Sequence, residues 1–460
     1  MEFTDESGCA TFPFLRRSPH VAPLAATAVG VHITSGARSR GHHEEIRQGR
    51  PRGRRRRRIA VRCDADRNAA TTLTLRTTTN DTETPTLKTI VAGFEKANPG
   101  VKVNVVSVPF GDRDAKFSAA VQAGKGPDIM RAEIADVALW ASKGFLTDVT
   151  SDVPASLQAQ YLPGAIAYYK YANKVWGLPN APDALAVLYN KDLFAKAGIT
   201  SMPKTLADLQ ALCESKFPNA NGIFLRGDAY WVQPWVWGYG GGLIDSAKRQ
   251  ILIADKNSVA GLEAYKSLFS SKCAVPNKDF ANDYGNAMTA FKNGEVAMIV
   301  NGPWSTADVL SGKAFNNDKS KLGVMVIPAG PGGKQGSPVG GNGWVVGKGT
   351  KNKEAAVKLM QYLAGPQANE AFAAKNNLLP ALVSAYNAPS VKANPLIGAF
   401  LPQMKVATAR PVVPQAGQIY SAFGPAVQDY LSGKVTAQNA LDSVANQWKN
   451  KLFGSYTIVK

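Results

Sequence analysis

From residue 71 onward, short apolar strands alternate with amphipathic helices, and this alternation restricts the fold more than any other feature of the chain. Thr72–Arg76 reads as a strand, and Pro85–Lys96 as a helix with Leu87, Ile90, Val91 and Phe94 on one face. Asn98-Pro99-Gly100 stops that helix. Val101–Val108 then alternates as a strand, Ala115–Ala123 forms a helix, and Asp128–Ala132 a third strand. A βαβαβ opening implies a parallel sheet with helices on its faces. The alternation continues through strands Ala184–Tyr189, Gly222–Arg226, Val296–Val300 and Leu322–Ile327, with helices between them, and ends in a largely helical segment closing near Trp448. So many αβ units without one long linker suit two α/β lobes joined by crossing strands.

At 460 residues the chain can hold two or three ordinary domains. Its net charge of +19 points to an anionic partner only if the charge is spread evenly. It is not: residues 1–70 hold 14 Arg and no Lys, and only six Arg follow. All four histidines, His20, His32, His42 and His43, also lie before residue 70. Residues 1–70 therefore read as a disordered Arg-rich tail or an aberrant leader, lacking periodic apolar residues to bury. The run Arg54–Arg58 is the only feature that would suit nucleic acid or an anionic membrane, and no nucleic acid is expected for the body. Cys63 stands where a lipid-modified cysteine would, but Ala60-Val61-Arg62 before it is a poor cleavage site. Cys213 and Cys273 lack metal-type spacing; a disulfide between them and two buried thiols are both compatible with the sequence. A body without histidine cannot build a Ser-His-Asp triad or a histidine-ligated zinc. No GxxxxGK[ST] pattern occurs, so nucleotide hydrolysis is unsupported. No metal or cofactor is expected.

Five motifs then narrow the reading. Phe94-Glu95-Lys96 with Asn98-Pro99-Gly100-Val101-Lys102-Val103, Gly126-Pro127-Asp128-Ile129, and Leu188-Tyr189-Asn190-Lys191-Asp192-Leu193-Phe194 come first. Pro203-Lys204-Thr205 and the pair Phe291–Met298 and Asn301-Gly302-Pro303-Trp304 follow in order. Together they resemble the extracellular solute-binding proteins of ABC sugar importers, and most of all the maltose- and maltodextrin-binding proteins. The resemblance implies a two-lobed, periplasmic-binding-protein-like α/β fold, each lobe a mainly parallel sheet flanked by helices, with a hinge between. Residues 71–181 plus 329–387 would form the N-terminal lobe, and 182–328 plus 388–460 the C-terminal lobe. It further implies a non-catalytic, monomeric receptor, exported to the periplasm or cell surface, with or without a lipid anchor, that hands its sugar to membrane permease subunits.

A sugar offers flat CH faces to aromatic rings and a rim of hydroxyls to carboxylates and other polar groups. By resemblance, Trp304 and Tyr420 are stacking platforms, Asp228 and Tyr230 supply a carboxylate and a ring, and Trp231 stands beside them. Asp183 matches an acidic ligand at the lobe crossing, and Asp81 with Glu83 an acidic pair in the first lobe. There the family's tryptophan and Asp-Arg pair are replaced by Ala132, Ala135 and Asp136, and Arg131, Glu133 and Trp140 are the candidates to compensate. Two other functions fit these residue types: a glycoside-acting enzyme using paired carboxylates, or a same-fold binder of a polyamine or other non-sugar solute.

Overall fold

The computed structural model describes residues 70–460, so the expectations for the Arg-rich segment and Cys63 lie outside the described residues. In chain order the first elements are β1 (Thr71–Thr77), α1 (Thr84–Ala97), β2 (Val101–Ser107), α2 (Arg113–Gln122), β3 (Ile129–Glu133), α3 (Ile134–Ser142) and β4 (Gly177–Ala184). Next come β5 (Ala186–Asn190), α4 (Leu206–Lys216), β6 (Ile223–Phe224), α5 (Ala229–Gly238), α6 (Lys256–Phe269), α7 (Asp283–Asn293), β7 (Met298–Asn301) and β8 (Leu322–Met325). The chain closes with β9 (Val339–Val346), α8 (Lys353–Leu363), α9 (Pro366–Asn376), α10 (Pro395–Val406), α11 (Ile419–Leu431) and α12 (Ala437–Lys451).

Two sheets organise these elements. The first runs β2-β1-β3-β9-β4 and the second β8-β5-β7-β6. Consecutive strands β4 and β5 belong to different sheets, and so do β8 and β9. Strand direction departs from expectation: β1 pairs in parallel with β2 and β3, but β9 runs antiparallel to both β3 and β4. In the second sheet only β6 and β7 are parallel. The reason lies in the connections: a strand returning from the other sheet enters from the opposite end, without the crossover helix that keeps neighbours parallel.

Local sequence accounts for the elements. The apolar face of α1, Leu87, Ile90, Val91 and Phe94, joins Leu73 and Leu75 of β1 in one core. Strand β5 is covered on both faces, and its side chains alternate: Val187 enters a core with Trp235, Phe423 and Trp448, while Ala186 and Leu188 enter another with Phe291 and Phe400. Helix α7 ends at Gly294, whose φ of 73° is a left-handed cap that favours glycine. Among the described residues no helix is long and apolar enough to cross a membrane.

The open question of the two cysteines is resolved as a disulfide, Cys213–Cys273, both fully buried and 60 residues apart in sequence. Such a bond suits an oxidising compartment. Replacing both cysteines by serine is expected to cost about 4 kcal/mol, from the loop freed in the unfolded chain. Urea unfolding of the variant pair against the oxidised parent measures it.

Candidate functional site

The ends of β1 and β3, the β4–β9 pair and the segment leading into α11 converge on a buried polar cluster. Glu133 ends β3 and caps α3, accepting from Ala135 N–H at 2.9 Å, a placement that sets a carboxylate against a helix N-terminus. Asp136, one turn on, is held by Arg113, whose Nε donates to it at 2.5 Å; Arg113 Nη2 also stands 3.7 Å from Glu133. Arg131 on β3 pairs with Glu83 at 3.0 Å. Arg410 donates through Nη2 to Glu133, through Nε to Val339 O at 2.8 Å, and through its backbone N–H to Tyr168 Oη at 2.7 Å. All of these charged groups are buried or nearly so.

Asp183 faces the cluster from β4. It sits opposite Gly340 of β9, where a Cβ would lie 2.0 Å from Asp183 Oδ1 and 2.7 Å from Tyr230 Oη. Glycine is needed there because any side chain would displace the carboxylate. Burial pushes the Asp183 carboxyl up to about 8, against the pull of Arg410. Burial likewise raises Asp136, to about 7, with Arg113 acting in the opposite sense.

Aromatic rings border the cluster on the other side. Tyr230 lies 5.4 Å from Trp231 and 6.2 Å from Tyr420, ring centre to ring centre, with the Arg410 guanidinium 5.5 Å from its ring. Tyr420 Oη accepts from Gln233 at 3.0 Å. Trp304 packs against the cores of both sheets, and its carbonyl accepts from Asn80 Nδ2 at 3.2 Å. Arg226 lies 3.7 Å over Trp231 and 5.0 Å from the Tyr284 ring centre, held by Asp283 and Asp228.

The structure thus brings together Glu83, Arg131, Glu133, Asp183, Tyr230 and Tyr420 from the sequence reading, with Trp231 and Trp304 at the border. Asp81 stands outside this cluster: it is exposed and, among the described residues, takes no part in any ion pair or side-chain hydrogen bond. Its neighbour Asn80 instead organises the turn, accepting from Thr82 and Glu83 N–H. Asp228 is partly spent as the cap of α5, accepting from Tyr230 N–H. Trp140 does not compensate for the missing ring, because it is fully buried and donates to Asp114 at 2.7 Å. Residue-by-residue reading missed Arg113, Arg226, Arg410 and Tyr284. A cue existed: of only six arginines after residue 70, four lie in these networks.

Residues 80–370 match the model of the bacterial extracellular solute-binding protein family. The chain belongs to that family. It is 27% identical to the maltodextrin-binding protein MdxE of Bacillus subtilis strain 168, over 80% of this chain and 88% of that protein. It is also 27% identical to a maltooligosaccharide ABC transporter solute-binding lipoprotein of Streptococcus pneumoniae R6, over 80% and 86% of the two chains. Among solved structures, the GacH receptor of Streptomyces glaucescens, described free and with acarbose, superposes with a TM-score of 0.79 at 35% identity, covering 84% of this chain and 99% of that one.

Two expectations follow from the binding protein's buried charges. Arg410→Ala would leave Glu133 short of its partner and is expected to cost about 3 kcal/mol, with Glu133→Gln in the same chain recovering much of it. A double-mutant cycle by urea unfolding checks this. Asp183 has its folded-state pKa raised, so its contribution is most favourable below pH 4 and is lost as pH rises toward 8. Ligand-free Asp183→Asn should therefore gain stability over the parent across that window, by about 5 kcal/mol at its upper end. Thermal melts from pH 4 to pH 8 would show the gap opening, and a constant gap would contradict it.

Proposed function

We propose that this chain is the capture component of an ABC sugar importer, holding a maltooligosaccharide-like sugar between its two lobes and delivering it to membrane permease subunits. The observation that carries this reading is that a buried cluster of charged groups (Glu83, Arg131, Glu133, Asp183) lies beside a group of aromatic rings (Tyr230, Trp231, Trp304, Tyr420). A sugar's hydroxyl rim suits the first and its CH faces suit the second. The names of the maltodextrin and maltooligosaccharide relatives support the same class of ligand. Export follows from the family, and a cell-surface or periplasmic location fits both the lipoprotein relative and the disulfide.

Capture without chemistry is the favoured reading of the carboxylates. A glycoside-acting enzyme needs one carboxyl group as acid and a second as nucleophile or base. Here Glu83, Glu133 and Asp136 are each tied to an arginine, which leaves Asp183 alone. A polyamine site has no use for so many arginines.

Titrating the full chain with maltose, maltotriose, trehalose and a galacto-oligosaccharide, followed by tryptophan fluorescence, tests the reading. A saturable change with a maltooligosaccharide, unaltered sugar by chromatography, and affinity about tenfold weaker in Trp304→Ala are expected. No response to any sugar would sink it, and slow sugar breakdown would restore the enzyme.

A further inference from the structure

In a run of parallel strands the carboxyl ends all point one way, and ligands of open α/β sheets bind beyond those ends. Strands β1, β2 and β3 are such a run. The turn after β1 carries Asn80 and Glu83, and β3 ends at Glu133, so the charged cluster stands at this end of the first sheet. From the same end Asn80 donates to the carbonyl of Trp304, just after β7 of the second sheet. The loop between β2 and α2 opens there too, and it carries Phe110.

Phe110 is the most exposed aromatic ring among the described residues, at 51%. A scattered apolar side chain on a surface needs no explanation when it is free to move. This one is held. The Arg113 guanidinium lies over its ring, 4.1 Å from the centre, and Arg113 Nη1 donates to the Phe110 carbonyl at 3.0 Å. The same guanidinium is fixed at its other edge by Asp136, through Nε at 2.5 Å and Nη2 at 3.3 Å, and stands 3.7 Å from Glu133. One side chain therefore covers part of the ring and ties it to the charged cluster. Half a phenyl ring held in water gains nothing from burial in the ligand-free protein.

We propose that Phe110 is a sugar-stacking ring supplied by the first lobe, and that it engages only the far units of an oligosaccharide. This rests on the capture reading above and deepens it. The order of the first sheet, β2-β1-β3-β9-β4, says which units those are. Asp183 lies on β4, and Tyr230 Oη donates to Pro338 O next to β9, so the Tyr230 group of rings meets one end of the row. Phe110 follows β2, at the other end. With neighbouring strands about 4.8 Å apart, the four steps from β4 to β2 span roughly 19 Å. A disaccharide seated at Asp183 and Tyr230 is too short to cross that distance. Four linked rings are long enough, and the last can lay its CH face on Phe110.

Isothermal titration of the full chain with maltose and with maltotetraose, in the parent, Phe110→Ala and Phe110→Tyr, tests this. The parent should bind maltotetraose more tightly than maltose. In Phe110→Ala, maltotetraose should weaken by about fivefold to tenfold and maltose by less than about twofold. Phe110→Tyr, which keeps a ring, should keep the parent's ratio. A ring with only a structural role would weaken both sugars alike, so maltose is the internal control. Equal affinities of the parent for the two sugars, equal weakening of both in Phe110→Ala, or unchanged maltotetraose affinity would overturn the proposal and leave capture standing. So would a ratio lost in Phe110→Tyr as in Phe110→Ala. Binding of neither sugar by the parent would end both readings. Should Phe110→Ala fail to fold, Phe110→Leu removes the ring while keeping an apolar side chain, and the same split between the sugars decides.

Discussion

Burying a guanidinium costs several kcal/mol unless its hydrogen bonds and charge are met, and Arg410 is buried where three parts of the chain must be held together. Its side chain reaches Glu133 at the end of β3 and Val339 O at the start of β9, and its backbone N–H reaches Tyr168. Those partners come from segments up to 277 residues away in sequence. Such an ion pair contributes little net stability, because desolvation offsets most of its attraction. What it supplies is geometry. The ends of β3, β4 and β9 meet at the cluster, and Arg410 fixes the carboxylate that caps α3 relative to the strand carrying Gly340.

The rest of the cluster follows from that fixed point. With Glu133 bound to Arg410, Arg113 serves mainly Asp136, and Arg131 closes on Glu83. No arginine is left for Asp183, so the ligand-free protein carries a buried carboxyl whose ionisation is suppressed. A chain selected for stability alone would place an apolar residue or a fourth cation there. On the proposed reading, stability is given up at this position in favour of ligand binding, a common relation between function and local stability.

Much of this was legible in the sequence, and the limits have physical causes. Helix α1 and strand β5 were readable because burial leaves a periodic trace within a few residues. Asp183, Tyr230 and Trp304 entered the reading because they occupy positions matched by resemblance, and Glu133 because it stands where the family's own residues are missing. Strand direction was not, since whether β9 runs with or against β3 depends on how the chain returns from the other sheet. Arg410 was not either: a single arginine in Ala409-Arg410-Pro411 shows nothing of a partner in another part of the fold. Composition carried a signal that position did not, in the scarcity of arginine after residue 70.

By resemblance, Ala132 stands where maltodextrin binders carry a tryptophan. Ala132 is fully buried on β3, so no ring from that strand can reach a ligand, and its neighbours Arg131 and Glu133 are charged. Phe110 apart, the aromatic groups therefore gather on the opposite side, around α5, Trp304 and Tyr420. On the proposed reading, the two lobes grip a sugar by different physics, one mainly through charge and hydrogen bonding and the other through ring faces. Stacking tolerates a ligand sliding along its plane, because every CH face looks alike to a ring. The ionic cluster does not, because it rewards one donor at one carboxylate. The register of the ligand is then set by the first lobe, and the second supplies binding strength that is largely indifferent to that choice.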